Sequence, residues 1–155
     1  MKIEERPGKA LPQIRGRRIA LIVARFYDDL ASQLEDGARR ALSACGVARS
    51  DIVTTDVPGC FEIPLAAKLA FEGGFDACVA LGVVIRGETP HFDYVAGECA
   101  RGIMDVQLSA GKPIGFGVLT TNTRAQAEER ADPKRGDKGF EAGLAAATLL
   151  ALAAA

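Results

Sequence analysis

The sequence predicts a single doubly wound α/β domain of three layers, a four-stranded parallel sheet with helices on both faces. Three observations lead there. Short apolar runs alternate with helical patterns four times, the runs are apolar on both faces, and the residues able to do chemistry gather where the runs end. Parallel strands need crossover connections and are covered on both sides, which is the pattern these runs describe. Ligands in such sheets sit beyond the carboxyl ends of the strands.

Each element follows from local signals. Arg18 to Arg25 (RIALIVAR) reads as the first strand. Asp28 or Asp29 opens a helix with Leu30, Leu34, Ala38, Ala41, Leu42 and Cys45 on one face, and Gly46 ends it. Asp51 to Val57 is the second strand, Pro58 and Gly59 turn the chain, and Pro64 to Glu72 is a short helix closed by Gly73 and Gly74. Phe75 to Ile85 contains the third strand. Pro90 to Ala110 makes a long helix stopped by Gly111, and Pro113 to Leu119 makes the fourth strand. Thr123 to Ala131 is a helix ending before Pro133, and Gly139 to Ala155 is the last. No internal repeat, linker or low-complexity block interrupts the pattern apart from the alanine-rich tail, whose small side chains suit close helix packing.

The 155 residues, 48% hydrophobic and 25% charged, fit one globular domain. Nineteen basic residues against twenty acidic give a formal charge of -1, so no global field draws in nucleic acid or acidic lipid. The segment MKIEERPGKA lacks the apolar core of a secretory signal, and the longest apolar tract, Leu144 to Ala155, is too short to span a bilayer. A soluble, cytoplasmic protein is expected, with no nucleic-acid or membrane partner. Cys45, Cys60, Cys78 and Cys99 form no CxxC pair and have one histidine to join them, so neither a zinc site nor a disulfide framework is indicated. Reduced, buried thiols are expected.

The most informative segment is Gly82 to Val95, GVVIRGETPHFDYV, which sets the chain's single histidine at the mouth of a helix after a buried strand. Thr89 is the expected N-cap and Pro90 the first helical residue, leaving backbone N–H groups free for an anion such as phosphate. His91, with an ordinary pKa of ~6.5, can exchange protons beside that anion. Its structural alternative is a histidine that caps its own helix, which the neighbouring Arg86 and Thr89 disfavour.

Other clusters admit two readings each. Phe26 follows the first strand and suits either the core or a face on which a flat heterocycle stacks. Glu62 suits either the dipole of its own first turn or the hydroxyls of a polyol ligand. Lys138, after the expected N-cap Asp137, opposes the macrodipole of the last helix, so a bound anion is its natural partner unless Asp137 or solvent neutralises it. Arg130, Lys134, Arg135 and Lys138 make a basic loop that is either solvated or functional.

Four segments in order, VPGCFEIP (Val57 to Pro64), GVVIRGETPHFDYV, FGVLTTNTRAQAEER (Phe116 to Arg130) and DKGFEA (Asp137 to Ala142), resemble the 6,7-dimethyl-8-ribityllumazine synthase family over nearly the whole chain. The resemblance implies a flavodoxin-like domain spanning residues 1–155, with 1–16 as an extended arm. It also implies a transferase that condenses 5-amino-6-(D-ribitylamino)uracil with 3,4-dihydroxy-2-butanone 4-phosphate, the penultimate step of riboflavin biosynthesis, without metal or organic cofactor. By position, Phe26 is to stack on the pyrimidine, Cys60, Phe61 and Glu62 to hold the ribityl chain, and the edge Val83, Val84, Ile85 to read the pyrimidine's polar rim. Gly87, Glu88 and Thr89 are to hold the phosphate with Arg130, and His91 is to move protons. Phe116, Arg130 and Lys138 are to come from a neighbouring subunit of a pentamer, since family sites lie between subunits. Two positions depart from the family: Tyr27 stands where asparagine is usual, and Cys60 where alanine or serine is more common.

Family members occur as pentamers, paired pentamers and sixty-subunit shells. The connection Ala131 to Asp137 carries no insertion, which is compatible with a shell, whereas Pro7 and Pro12 weaken pairing of the arm with a neighbour's sheet. Two other classes fit parts of the pattern: a binding module for flavin or a nucleotide, and a scaffold that has kept the fold without activity.

Overall fold

The computed structural model describes residues 10–154. The expected arm therefore lies mostly outside the described residues. The elements are β1 (Ile19–Ala24), α1 (Asp28–Ala44), β2 (Ile52–Val57), α2 (Ile63–Glu72), β3 (Ala77–Ile85), α3 (His91–Ala110), β4 (Ile114–Thr121), α4 (Arg124–Ala131) and α5 (Lys138–Ala154). One-turn 3-10 helices at Arg49–Asp51 and Cys60–Glu62 precede β2 and α2.

The four strands are parallel in the order β2-β1-β3-β4. The chain runs outward from β1 to β2 and then returns to the other side of β1, so the order reverses between β1 and β3. That reversal opens a crevice at the carboxyl ends of the two central strands.

The pleat sends alternate residues to opposite faces. Ile19, Leu21, Val23, Val79 and Leu81 meet α1, α4 and α5, and Ala20, Ile22, Ala24, Cys78 and Ala80 meet α2 and α3. Mostly small residues on the second face let its helices approach closely. All six residues expected on the inner face of α1 are buried. Emptying one such position, as in Leu34→Ala, costs about 2–5 kcal/mol.

Glycine makes the other face tight. A methyl group on Gly139 would collide with the Leu34 backbone, one on Gly143 would lie 2.9 Å from the Ala38 carbonyl oxygen, and one on Gly37 would lie 2.6 Å from the Phe140 nitrogen. Helices α1 and α5 thus touch backbone to backbone.

Several boundaries differ from the sequence reading, each for a physical reason. β2 is an edge strand in which Ile52 alone is buried and the other residues are half-buried or exposed, so it is not apolar on both faces. β4 continues through Thr121 because its ladder with β3 runs on to Ile85. Pro90 occupies the N-cap position of α3 rather than its first turn, and the Thr89 hydroxyl accepts only a long hydrogen bond, 3.5 Å, from the His91 N–H. α4 begins at Arg124, one residue after the expected start, because Thr123 is its N-cap: the Thr123 hydroxyl accepts from the Gln126 N–H and the Gln126 side chain reaches back. All four cysteines are free and buried.

Candidate active site

The carboxyl ends of β1 and β3 carry most of the residues selected from the sequence. β1 pairs with β3 only as far as Leu81, while β3 continues to Ile85. The edge of Val83, Val84 and Ile85 on the β1 side therefore has no strand partner among the described residues, and the Val83 backbone meets the Cys60 thiol there. The other edge of β3 is occupied by β4.

Phe26 sits where β1 turns toward α1. Its ring is 75% exposed and meets Tyr27 edge to face at 4.9 Å, so it is not a core residue. Arg25 fixes the turn beneath it by donating its N–H to the Val57 carbonyl and its Nε to Asp56 at 2.8 Å.

The turn Cys60–Glu62 lies beside the same crevice. Cys60 is buried, and a methyl group on Gly82 would come within 2.6 Å of its Sγ, so a glycine in β3 makes room for this thiol. A hydrogen bond with Cys99, burial and the nearby charges together push the Cys60 thiol far up, which keeps it neutral. Its contribution is packing beneath the strand. Phe61 is 60% exposed. Glu62 is exposed as well, and its Oε2 accepts the Gly59 N–H at 3.1 Å. One of its oxygens is thus used to cap its own turn, and the other has no hydrogen-bond partner among the described residues.

Gly87, Glu88 and Thr89 form an exposed loop from β3 to the mouth of α3, where His91 is the first helical residue and is itself exposed. The N–H groups of the first helical turn lie in the same place, that of His91 making only the long bond to Thr89 and that of Asp93 donating to the Pro90 carbonyl at 3.0 Å.

The remaining residues stand apart. Phe116, Arg130 and Lys138 line a cleft of about 460 Å³ between β4 and the α4 and α5 helices, and neither Phe26, Glu62 nor His91 borders it. Within one chain the selected residues form two groups. The basic loop divides accordingly: Arg130 and Lys138 face the cleft, while Arg135 pairs with Asp132 at 3.1 Å and Lys134 is exposed. A larger depression of about 750 Å³ beside β2 holds Arg39, Arg40 and Arg49 but none of the expected residues. Arg39 and Arg40 are already committed to Glu35 and to Asp36 and Asp137.

Lys138 departs from the sequence reading in its partner. Asp137, at φ 48°, turns its carboxylate to Arg40, and Glu141 one helical turn on receives the Lys138 ammonium at 2.9 Å. Glu141 borders the cleft and was not selected from the sequence, although the three-residue spacing is the signal that finds it. Arg130 Nη1 donates to the Gln126 carbonyl at 3.0 Å, so the guanidinium folds back along α4 at the border of the cleft.

The sheet order and the helices on both faces define a doubly wound α/β protein. The sequence model for 6,7-dimethyl-8-ribityllumazine synthase matches residues 16–154. A 6,7-dimethyl-8-ribityllumazine synthase from Desulfatibacillum aliphaticivorans is 50% identical over 139 residues, covering 89% of this chain and 90% of the relative. The chain belongs to the 6,7-dimethyl-8-ribityllumazine synthase family, transferases of riboflavin biosynthesis.

Proposed function

We propose that this enzyme condenses 5-amino-6-(D-ribitylamino)uracil with 3,4-dihydroxy-2-butanone 4-phosphate at sites completed by two adjacent copies of the chain. The observation that carries the reading is the unpaired edge of β3, flanked by an exposed phenyl ring at Phe26 and by His91 at a helix mouth. A pyrimidine needs a flat apolar face and an in-plane row of donors and acceptors, and these two features supply both. Cys60 and Phe61 shape the ribityl subsite, and the second oxygen of Glu62 accepts from its hydroxyls.

The phosphorylated ketone binds at the loop Gly87, Glu88, Thr89 and the N-terminal amides of α3, whose dipole favours a dianion. Arg130 of the adjoining copy adds a guanidinium suited to phosphate oxygens. The pyrimidine amine adds to the ketone and water leaves to give an imine; phosphate is then eliminated and ring closure expels a second water. His91 shuttles protons through these stages. Lys138, held by Glu141, stabilises developing negative charge, and Phe116 closes the heterocycle's other side. Holding two substrates in reacting geometry contributes up to ~7–11 kcal/mol.

The separation of the two residue groups supports an intersubunit site. So do exposed apolar side chains along α2 and α3, Leu65, Leu69, Met104 and Leu108, which a neighbouring subunit can cover. We propose a single catalytic domain spanning residues 1–155, with 1–16 as an arm, assembled into pentamers. Hydrodynamic size distinguishes pentamer, decamer and sixty-subunit shell. A cytoplasmic location fits four unbridged cysteines. No described helix is long and apolar enough to cross a membrane.

The test is complementation. His91→Ala and Arg130→Ala chains are unfolded, mixed in equal amounts and refolded, and lumazine fluorescence is followed with both substrates. Random mixing restores about a quarter of the sites if each site draws one half from each copy. Activity no higher than the sum of the two parent variants overturns the shared site.

A further inference from the structure

We propose that Arg86 is a positioning residue that clips the phosphate loop shut and sets the helical turn bearing His91; this assignment rests on the reading of the site given above. Arg86 follows β3 directly, and its N–H still donates to the Thr121 carbonyl at 2.8 Å, so the sheet fixes its backbone. Its side chain then makes three contacts in three directions. Nε donates to Asn122 Oδ1 at 3.2 Å in the loop after β4, and Nη2 lies 3.3 Å from Asp93 Oδ1. The guanidinium carbon lies over the Phe92 ring, 4.3 Å from its centroid.

Phe92 and Asp93 are the two residues after His91, and Gly87 to Pro90 are the residues between Arg86 and that turn. One guanidinium therefore ties the residue before the loop to the turn after it. Such a clip removes conformations that the loop would otherwise lose only on binding phosphate. A planar fork that can stack and donate in its plane at once is needed, and a lysine ammonium, although it carries charge and donors, cannot do both together.

Two alternatives are less well supported. The charge of Arg86 already faces Asp93, which weakens the case for a direct phosphate ligand. Both side chains of that pair are well exposed, at 45% and 61%, and such pairs add little to global stability. The consequence of losing the clip is local: a slower chemical step and weaker binding of the phosphorylated ketone, with the pyrimidine end undisturbed.

The experiment is a double-mutant cycle on the full-length enzyme with R86K and N122A. R86K is expected to lower kcat by about 10- to 100-fold and to raise KM for the phosphorylated ketone, with KM for the pyrimidine and the melting temperature unchanged. N122A is expected to change the same two parameters less, and the double variant to be no worse than R86K alone. Multiplying effects, or a raised pyrimidine KM of equal size, overturns the assignment. Should R86K fail to fold, N122A decides, because wild-type kinetics in that variant also overturns it. Failure of the underlying reading looks different: the unmodified enzyme would make no lumazine, and the assignment would fall with it.

Discussion

Arg25 donates a hydrogen bond to Glu35, Nη2 to Oε1 at 2.8 Å, and so joins the end of β1 to the middle of α1. Burial pushes the Glu35 carboxyl up, but the Thr54 hydroxyl and the Arg25 guanidinium outweigh it, and its pKa lies below the ordinary 4.5. A carboxylate depressed in the folded state contributes stability that is fully present above the unfolded value and is lost as pH falls through the folded one. Unfolding free energy is thus expected to decline on acidification below pH 4.5. In Glu35→Gln the decline becomes shallower and stability at neutral pH drops; urea titrations across that range measure both, and parallel acid profiles would contradict the role of Glu35.

His91 stands first in α3 and is exposed at the helix mouth. His91→Ala is expected to lower turnover by about 10²–10⁴ while the circular dichroism spectrum and oligomer size stay as in the parent. Steady-state formation of lumazine from both substrates gives the answer. Undiminished kcat would remove the imidazole from the reaction.

Arg130, in the last turn of α4, lines the cleft with Phe116 and Lys138. Arg130→Ala is expected to raise KM for the phosphorylated ketone more than it lowers kcat, and to weaken inorganic phosphate as a competitor. Calorimetric titration with phosphate checks this independently of catalysis. Normal phosphate affinity would reassign the guanidinium.

Gly139 lies against the backbone of Leu34 with no room for a methyl group. Gly139→Ala is expected to destabilise the fold by about 3 kcal/mol, since the obstacle is main chain rather than a flexible side chain. Gly97→Ala, where nothing lies within 4 Å, serves as the control. Equal urea midpoints for the two variants would show that the helices can part cheaply.

Much of this architecture is legible in one sequence because it is local. The inner face of α1 and the stop at Gly111, which adopts φ 62°, follow from spacing and backbone chemistry alone. Strand order is not local, so the edge character of β2 was missed although its run IVTTDV already mixes polar with apolar residues. The residue types of the site were also readable, but their partners were not. Asp137 is taken by Arg40, 97 positions away, which no spacing rule anticipates, and Lys138 consequently turns to Glu141. Glu62 divides between the two readings open to it, capping with one oxygen and leaving the other.

The close seating of α5 on α1 has a consequence for the cleft it walls. Where Gly37, Gly139 and Gly143 bring main chain against main chain, there is no cushion of side chains to slip or re-knit. The wall that bears Lys138 is therefore rigid before any ligand arrives, and adaptation to an incoming molecule falls to the long arms of Arg130 and Lys138 themselves.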